Sequence, residues 1–320
     1  MKVLIVSNMY PDRNPNFEYA GIFVKEQYEQ LKNTGDLNVN LYIIDGFKSK
    51  FTYLTESFRL YLHLLNTKYD VIHVHYGLSG LFMLINPFKK WRNVVLTLHG
   101  GDILISQGKK IQVMLSKLLL KRVGKVITLN NEMCKIVEGY TKNYEVLPCG
   151  VDSDLFQGKY TKKERNFALF PGNKNRAVKN YPYFKDILDC YNLEYEPLKI
   201  IALDGFSRNE VSELMREAKF LLMTSISEGS PQVIKEAMSS DLVVISTNVG
   251  DVQHILTNVK GTCILQDNEA PSIAVKKINK AVLDGETSPG ARRERINTLG
   301  LNNKEVIRRL LRLYGDINAK

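Results

Sequence analysis

The sequence predicts an α/β protein built from two doubly wound, parallel-sheet halves in tandem. Three observations predict it. Short apolar, β-branched runs alternate with longer helical patterns along the 320 residues. The runs are continuously apolar rather than alternating, as a sheet covered by helices on both faces requires. The rhythm breaks at the turn-rich Pro148-Cys149-Gly150-Val151-Asp152 and the polar link from Gln157 to Asn166, then resumes.

In the first half, strands are expected at Lys2–Ser7, Val39–Ile44, Val71–His75, Val94–Leu98, Lys125–Leu129 and Tyr144–Pro148. Helices are expected between them near Phe23–Lys32, Tyr53–Leu65, Gly77–Ile85, Ile111–Arg122 and Glu132–Gly139. The second half repeats the pattern, with strands at Phe167–Pro171, Leu198–Leu203, Phe220–Thr224, Leu242–Ser246 and Thr262–Leu265. Its helices are expected at Tyr183–Cys190, Asn209–Ala218, Gln232–Ser240, Val252–Leu256 and Ile273–Leu283. A last helix, Asn303 to Tyr314, carries Val306, Leu310 and Leu313 on one face. These elements give domains over 1–158 and 159–302, with the C-terminal helix 303–320 able to rejoin the first. Open α/β sheets bind ligands beyond the C-terminal ends of their strands, so a cleft between two such halves is the expected site.

Hydrophobic residues make up 44% and charged residues 24%, which excludes a disordered chain. Cys134, Cys149, Cys190 and Cys263 lack metal-binding or redox spacing and fit a reducing compartment. No apolar run has the length of a membrane span, and the N-terminal one is too short for a signal peptide, so a cytoplasmic protein is expected. The net charge of +10 suits phosphorylated substrates or an anionic membrane. Two features carry that charge: the Phe88-Lys89-Lys90-Trp91-Arg92 cluster, and Lys109, Lys110, Lys117, Lys121, Arg122 and Lys125 around an apolar stripe of Ile111, Met114, Leu115, Leu118 and Leu119. A basic amphipathic helix lies on an acidic leaflet; the competing reading packs its apolar stripe into the domain. Nucleic-acid signatures are missing, so no nucleic-acid partner is expected.

The most informative stretch runs from Glu228 to Glu236, through Gly229, Ser230, Pro231 and Gln232. It hands the apolar run Phe220–Ser225 over to a helix N-terminus, where unpaired N–H groups and the helix dipole favour a phosphate. Glu228 just outside and Glu236 one turn inside then frame an anion site with two acceptors for sugar hydroxyls. Gly172, Arg176 and Lys179 lie on another strand-to-helix loop, Phe170 to Asn180. Two cations three apart there suit a diphosphate whose charge grows as a glycosidic bond breaks. Gly21, after Ala20, lets a diphosphate or acceptor approach the backbone. His73 and His75 share one side of their strand but lack further ligands for a metal. His99, followed by two glycines, is placed to face a sugar, by its side chain or its backbone carbonyl. Each of these residues also has a plain structural reading: solvated charge, helix start or strand-end cap. There is no G-x-G-x-x-G and no P-loop.

Together the Glu228/Glu236 pair, the Arg176/Lys179 loop, Thr97-Leu98-His99 and Val146-Leu147-Pro148-Cys149-Gly150-Val151-Asp152 resemble family-4 retaining glycosyltransferases of GT-B fold, bacterial surface-polysaccharide type. The resemblance runs from the Ala20-Gly21 loop to Thr247-Asn248-Val249-Gly250-Asp251. It implies two Rossmann-like domains and metal-independent transfer of a sugar, with retention, from a UDP- or GDP-linked donor to a lipid-linked or glycan acceptor. No cofactor is implied. Glu228 maps onto the contact to donor-sugar hydroxyls, Glu236 onto the ribose contact, Arg176 and Lys179 onto the diphosphate pair, His99 onto the histidine facing the sugar ring and Gly21 onto the first-domain glycine loop. The leaving phosphate itself takes the acceptor proton in such enzymes. Two departures stand out: a tighter Arg–Lys spacing and a short second domain, in which Asp204-Gly205-Phe206 is a candidate base pocket. A GT-B nucleotide-sugar 2-epimerase and a non-catalytic nucleotide-sugar-binding subunit remain alternatives.

Overall fold

The computed structural model describes residues 1–11, 21–46, 49–104, 110–158 and 166–319. Ala20, Lys109 and most of the 157–166 link lie outside them. The chain divides into two compact units, Met1–Cys149 with Lys304–Lys320, and Gly150–Asn303. The division falls at Gly150 rather than after residue 158, because Val151 and Phe156 are buried in the core of the second unit.

The first unit contains β1 (Lys2–Ser7), α1 (Ile22–Asn33), β2 (Asn38–Ile43), α2 (Thr52–Asn66), β3 (Val71–His75), β4 (Trp91–Thr97), α3 (Lys110–Leu120), β5 (Val123–Thr128), α4 (Asn131–Val137) and β6 (Tyr144–Val146). Its six strands are ordered β2-β1-β3-β4-β5-β6, and each adjacent pair is parallel. Alternation along the strands feeds two cores. Leu4, Val6, Ile72, Val74 and Leu96 meet Leu60 of α2 and Leu119 of α3. Val3, Ile5, Val71 and Val95 meet Leu31 of α1 on the opposite face, where Leu310 and Tyr314 of the C-terminal helix complete the layer.

One expectation for this unit changes, and one open question is narrowed. Residues Gly77–Leu84 form a 3₁₀ segment where a helix was expected. It approaches α3 so closely that a Cβ on Gly77 would fall 1.9 Å from the Ser116 hydroxyl oxygen. Helix α3 buries Val113, Ser116, Leu119 and Leu120, so of its apolar stripe Leu119 packs into the domain while Ile111, Met114 and Leu118 stay exposed.

The second unit contains β7 (Phe167–Phe170), α5 (Tyr181–Glu194), β8 (Lys199–Ala202), α6 (Arg208–Glu217), β9 (Phe220–Met223), α7 (Gln232–Ser239), β10 (Val244–Thr247), α8 (Val252–Leu256), β11 (Thr262–Leu265), α9 (Pro271–Glu286) and α10 (Ala291–Thr298). The final helix, α11 (Asn303–Asn318), returns to the first unit. The five strands are ordered β11-β10-β9-β7-β8, again all parallel. Helices α5 and α9 cover one face, and α6, α7, α8 and α10 cover the other. Both units therefore have the 2-1-3-4-5 strand order, with a switch point between β1 and β3 in the first and between β7 and β9 in the second. Among the described residues no helix is long and apolar enough to cross a membrane.

Candidate functional site

At the switch point of the second unit, the loops after β7 and β9 are tied to each other before they carry any chemistry. The Ile226 N–H donates to the Val178 carbonyl at 2.9 Å. The Thr224 hydroxyl reaches the Lys179 and Asn180 carbonyls at 3.1 and 3.0 Å. Asn180 turns the chain in the left-handed region, φ 51°, which asparagine tolerates better than most residues. These ties set Lys179 against Glu228, and the Nζ–Oε1 distance is 2.8 Å. Both side chains are mostly buried, so the pair is a charge-assisted bond in a drier environment than open surface. Arg176, two residues before the end of β7's loop segment at Val178, is exposed and takes no part in the pair. Gly172 adopts φ 105°, with open space where a Cβ would sit.

Glu236 is buried in α7, 4% exposed, and accepts from Arg208 Nη1 at 2.7 Å. Arg208 opens α6, directly after Ser207, whose capping box with Glu210 fixes where the helix starts. Its guanidinium lies 4.8 Å from the centre of the Phe156 ring. The ring and the capping box thus aim a cation at the Glu236 carboxylate.

The loop leading into α7 is braced from the end of β10. A Cβ on Gly250 would fall 2.4 Å from the Gly229 carbonyl oxygen, so only glycine permits this approach. The Ser230 hydroxyl donates to Asp251 Oδ2 at 2.7 Å, and the buried Lys235 donates to Ser230 Oγ at 3.2 Å. Burial raises the Asp251 carboxyl above its usual range, against the pull of Lys235. The Gln232 amide donates to the Gly150 carbonyl at 2.5 Å, and Pro231 is the buried residue that precedes the first turn of α7. Ser230 commits its hydroxyl proton to Asp251 and Gln232 one amide proton to Gly150, and the loop also presents the backbone N–H groups of the helix start.

The switch point of the first unit is built from rings. Gly21 begins α1 at φ 81°, and a Cβ there would fall 2.3 Å from the Met9 carbonyl oxygen. Two residues on, the Phe23 ring lies 4.8 Å from His99, beyond the end of β4. The Tyr76 ring, tilted by 36°, lies 4.3 Å from the same imidazole, and His75 Nδ1 lies 3.2 Å from His99 Nε2. Both nitrogens of His73 are occupied, by Tyr314 of α11 and by Thr97, each at 2.6 Å. Burial pushes His73 and His99 well below the usual imidazole value, and His75 down to about 3. The fully buried Asp102 accepts from the His99 and Gly77 N–H groups, and burial raises it to about 6.

Sequence reasoning singled out both members of the Lys179–Glu228 pair but only Glu236 of its pair with Arg208, and it missed Arg208, Lys235 and Asp251. The capping pattern Ser207-Arg208-Asn209-Glu210 was the available signal for Arg208. Asp102 and Tyr76 were likewise passed over, since a lone carboxylate or tyrosine after a strand carries no spacing signal.

The comparisons with known proteins agree with this architecture. The family model described as Glycosyltransferase Family 4 matches residues 4–155, and that described as Glycosyl transferases group 1 matches residues 186–298. An uncharacterized glycosyltransferase of Methanocaldococcus jannaschii is 24% identical over 95% of this chain and 93% of its own length. TuaC of Bacillus subtilis, named for teichuronic acid biosynthesis, is 25% identical over 62% of this chain and 60% of its own. Among solved structures, sucrose-phosphate synthase of Thermosynechococcus elongatus superposes with a TM-score of 0.76 at 15% identity, with both chains fully covered. Anabaena HepE in complex with UDP and glucose gives 0.66 at 11% identity, covering 99% of this chain and 100% of its own. Two glycosyltransferase family segments spanning most of the chain, on two parallel doubly wound units, make this protein a glycosyltransferase of GT-B fold.

Proposed function

We propose that this glycosyltransferase moves a sugar from a nucleotide-sugar, with retention at the anomeric carbon, to a lipid-linked or glycan acceptor in the assembly of a surface polysaccharide or glycolipid. The observation that carries this reading is the Lys179–Glu228 pair, tied across a topological switch point beside the start of α7. A diphosphate there meets a lysine, with Arg176 free to swing in from the exposed part of the loop, and the N–H groups of a helix start. Glu228 offers its carboxylate to the sugar hydroxyls, and Glu236, oriented by Arg208, offers its own to the ribose. Within the first unit, His99, neutral beside His75 and with its N–H on Asp102, is the group suited to a sugar hydroxyl, and Gly21 leaves its backbone open to close approach.

In this reaction the bond from the anomeric carbon to the phosphate oxygen breaks, and the bond to the acceptor oxygen forms on the same face. The acceptor's proton passes to the departing diphosphate. Lys179 stabilises the charge that grows on that leaving group, so it acts more strongly on the transition state than on the bound donor. No metal is invoked, and turnover is expected to persist in a chelator. UDP in the HepE structure, and in that of the pneumococcal O-GlcNAc transferase GtfA, favours a uridine donor.

A thermal-shift screen of UDP, GDP and their sugars tests this reading. A ligand at a hundred times its dissociation constant adds about 2.7 kcal/mol of stability. No shift with any nucleoside diphosphate, in a folded preparation, refutes the donor site.

A further inference from the structure

The His99 ring has little freedom to turn. The Phe23 ring lies 4.8 Å from it and the Tyr76 ring 4.3 Å. Its main chain is fixed as well, since the His99 N–H donates to Asp102 Oδ1 at 2.9 Å. Tyr76 reaches its place at a backbone cost. Its φ of 67° with ψ of 139° lies outside the regions that a bulky residue adopts without strain. Its N–H donates to the Thr97 carbonyl at 3.0 Å, which holds the strained turn in place. A fold that carries strain to cover one imidazole has an orientation to preserve.

His75 decides what that fixed ring can do. Its Nδ1 lies 3.2 Å from His99 Nε2, and the two rings are stacked, their planes 25° apart. Burial keeps both neutral. A neutral imidazole has one N–H donor and one acceptor nitrogen, so a single proton lies between the two rings. Its owner follows from the far side of His75. His75 is 1% exposed, and its Nε2 is buried with no hydrogen-bond partner among the described residues. Were the bridging proton on His99, His75 would carry its own on Nε2, a buried N–H with no acceptor. With the bridging proton on His75 Nδ1, only a lone pair is left unmet. Orphaned buried donors are the rarer of the two. His73 keeps the His75 ring from turning to find another partner. Its own nitrogens are bonded to Tyr314 and Thr97, and its ring centre lies 4.2 Å from that of His75.

We propose that His75 is a positioning residue that fixes His99 as the Nδ1–H tautomer, so that His99 meets the sugar as a hydrogen-bond donor. His75 Nδ1–H donates to His99 Nε2, which places the His99 proton on Nδ1. That N–H is then directed at a lone pair of a sugar hydroxyl oxygen. The other tautomer would offer a lone pair in its place and would bind the hydroxyl only through its hydrogen. The inference rests on the reading of His99 as the group suited to a sugar hydroxyl, but the tautomer is read without donor or turnover.

The test is NMR of the full chain with isotope-labelled histidine rings, in which His99→Gln identifies the His99 signals by their loss. The wild-type protein should show His99 protonated on Nδ1 alone. His75→Phe keeps a ring but no donor, and His99 should shift toward the Nε2–H tautomer that a free imidazole prefers. His75→Leu serves if the phenylalanine variant does not fold. His75→Asn supplies an amide N–H near the place of Nδ1 and should restore the wild-type pattern. His99 protonated on Nε2 in the wild-type protein overturns the proposal. So does an Nδ1–H tautomer that persists in the phenylalanine or leucine variant. Donor KM, measured with the nucleotide-sugar that most raises the melting temperature, should rise about five-fold in His75→Phe, the scale of one hydrogen bond. Combining His75→Phe with His99→Ala should cost no more than His99→Ala alone, because His75 acts through His99. Additive losses give His75 a separate role and also overturn the proposal. The expected tautomer pattern in a protein whose melting temperature no nucleoside diphosphate shifts upholds the His75 assignment and rejects the donor reading instead.

Discussion

At its switch point the first unit gathers neutral rings, and the second gathers paired charges. His73, His75 and His99 lie ring beside ring at the ends of β3 and β4, with His75 stacked on His99, each held neutral by burial. In the second unit Lys179 faces Glu228 and Arg208 faces Glu236, at 2.8 and 2.7 Å. The strand order is the same, so topology does not account for the contrast. A partly buried charge persists when a partner is at hand, whereas a buried imidazole simply gives up its proton. The second unit thus holds charge ready for a ligand, and the first offers shape and hydrogen bonds without charge.

The largest effect that would break this contrast lies in the ion pairs. Lys179→Ala should lower turnover by roughly two to three orders of magnitude, the scale seen when one preorganised charge-stabilising group is lost. Glu236→Ala removes a ribose contact made in the bound donor and the transition state alike, so its loss should appear chiefly in donor KM. Steady-state kinetics on the matched donor checks both. Near-wild-type kinetics in both variants would mean that the paired charges are structural.

Acid should separate the units next. Below pH 6.5 the unfolded chain protonates three histidines that the folded first unit keeps neutral, so stability falls as the pH drops. Asp102 works in the opposite direction. Its carboxyl is raised to about 6, so between that value and its ordinary 3.8 the folded state holds a proton that the unfolded state has released. Three protons outweigh one, and each net proton contributes about 1.4 kcal/mol per pH unit. Calorimetry at pH 7 and 5.5 should show the loss, and His73→Gln should flatten it by one proton's share. An unchanged slope in that variant would place the lost stability elsewhere.

The same contrast governs what the sequence made legible. Strands such as β1 and β3 could be read directly, because a sheet buried on both faces needs uninterrupted apolar residues. Helix α10 could not. Its sequence, Ala291 to Thr298, is polar around most of its circumference, and it packs through Ile296 and the buried Arg292. Arg292 bonds to the Asp241 and Lys260 carbonyls at 3.0 Å, a role that hydrophobic periodicity does not register. Helix α3 left two readings open for the converse reason. Ser116 occupies an inward position beside Gly77, so Ile111, Met114 and Leu118, which periodicity alone could place in the core, face outward. At the site, Glu228, Lys179 and Glu236 stood out through spacing and loop context. Their supports did not, since Arg208 reaches Glu236, and Asp251 reaches Ser230 in the same loop, from other strand ends, 28 and 21 residues away in the chain.

Arg208 sharpens the comparison further. Arg208→Met keeps much of the contact with Phe156 but leaves the Glu236 carboxylate without its cation. Loss of one partner of a charged hydrogen bond costs about 1–3 kcal/mol. Because Arg208 is partly exposed, the low end of that range applies. Donor KM should rise about ten-fold, with a smaller fall in kcat. A fall in kcat as deep as that of Lys179→Ala would move Arg208 from orienting the ribose contact to the reaction itself.

The smallest expected effect falls on the brace behind the α7 loop. Asp251→Asn keeps the shape of the acceptor for Ser230 but removes the charge near Lys235. One hydrogen bond of this kind contributes about 1 kcal/mol, which corresponds to about a five-fold change. Because the loop presents backbone N–H groups to a diphosphate present in both the bound donor and the transition state, the loss should appear in KM, with kcat nearly unchanged. Lys179 acts on charge that grows during the reaction, so its removal should appear in kcat. If both variants moved the same parameter, loop placement and charge stabilisation would not be separable in this unit. If Asp251→Asn moved neither, Gly250 against Gly229 would be sufficient to hold the loop.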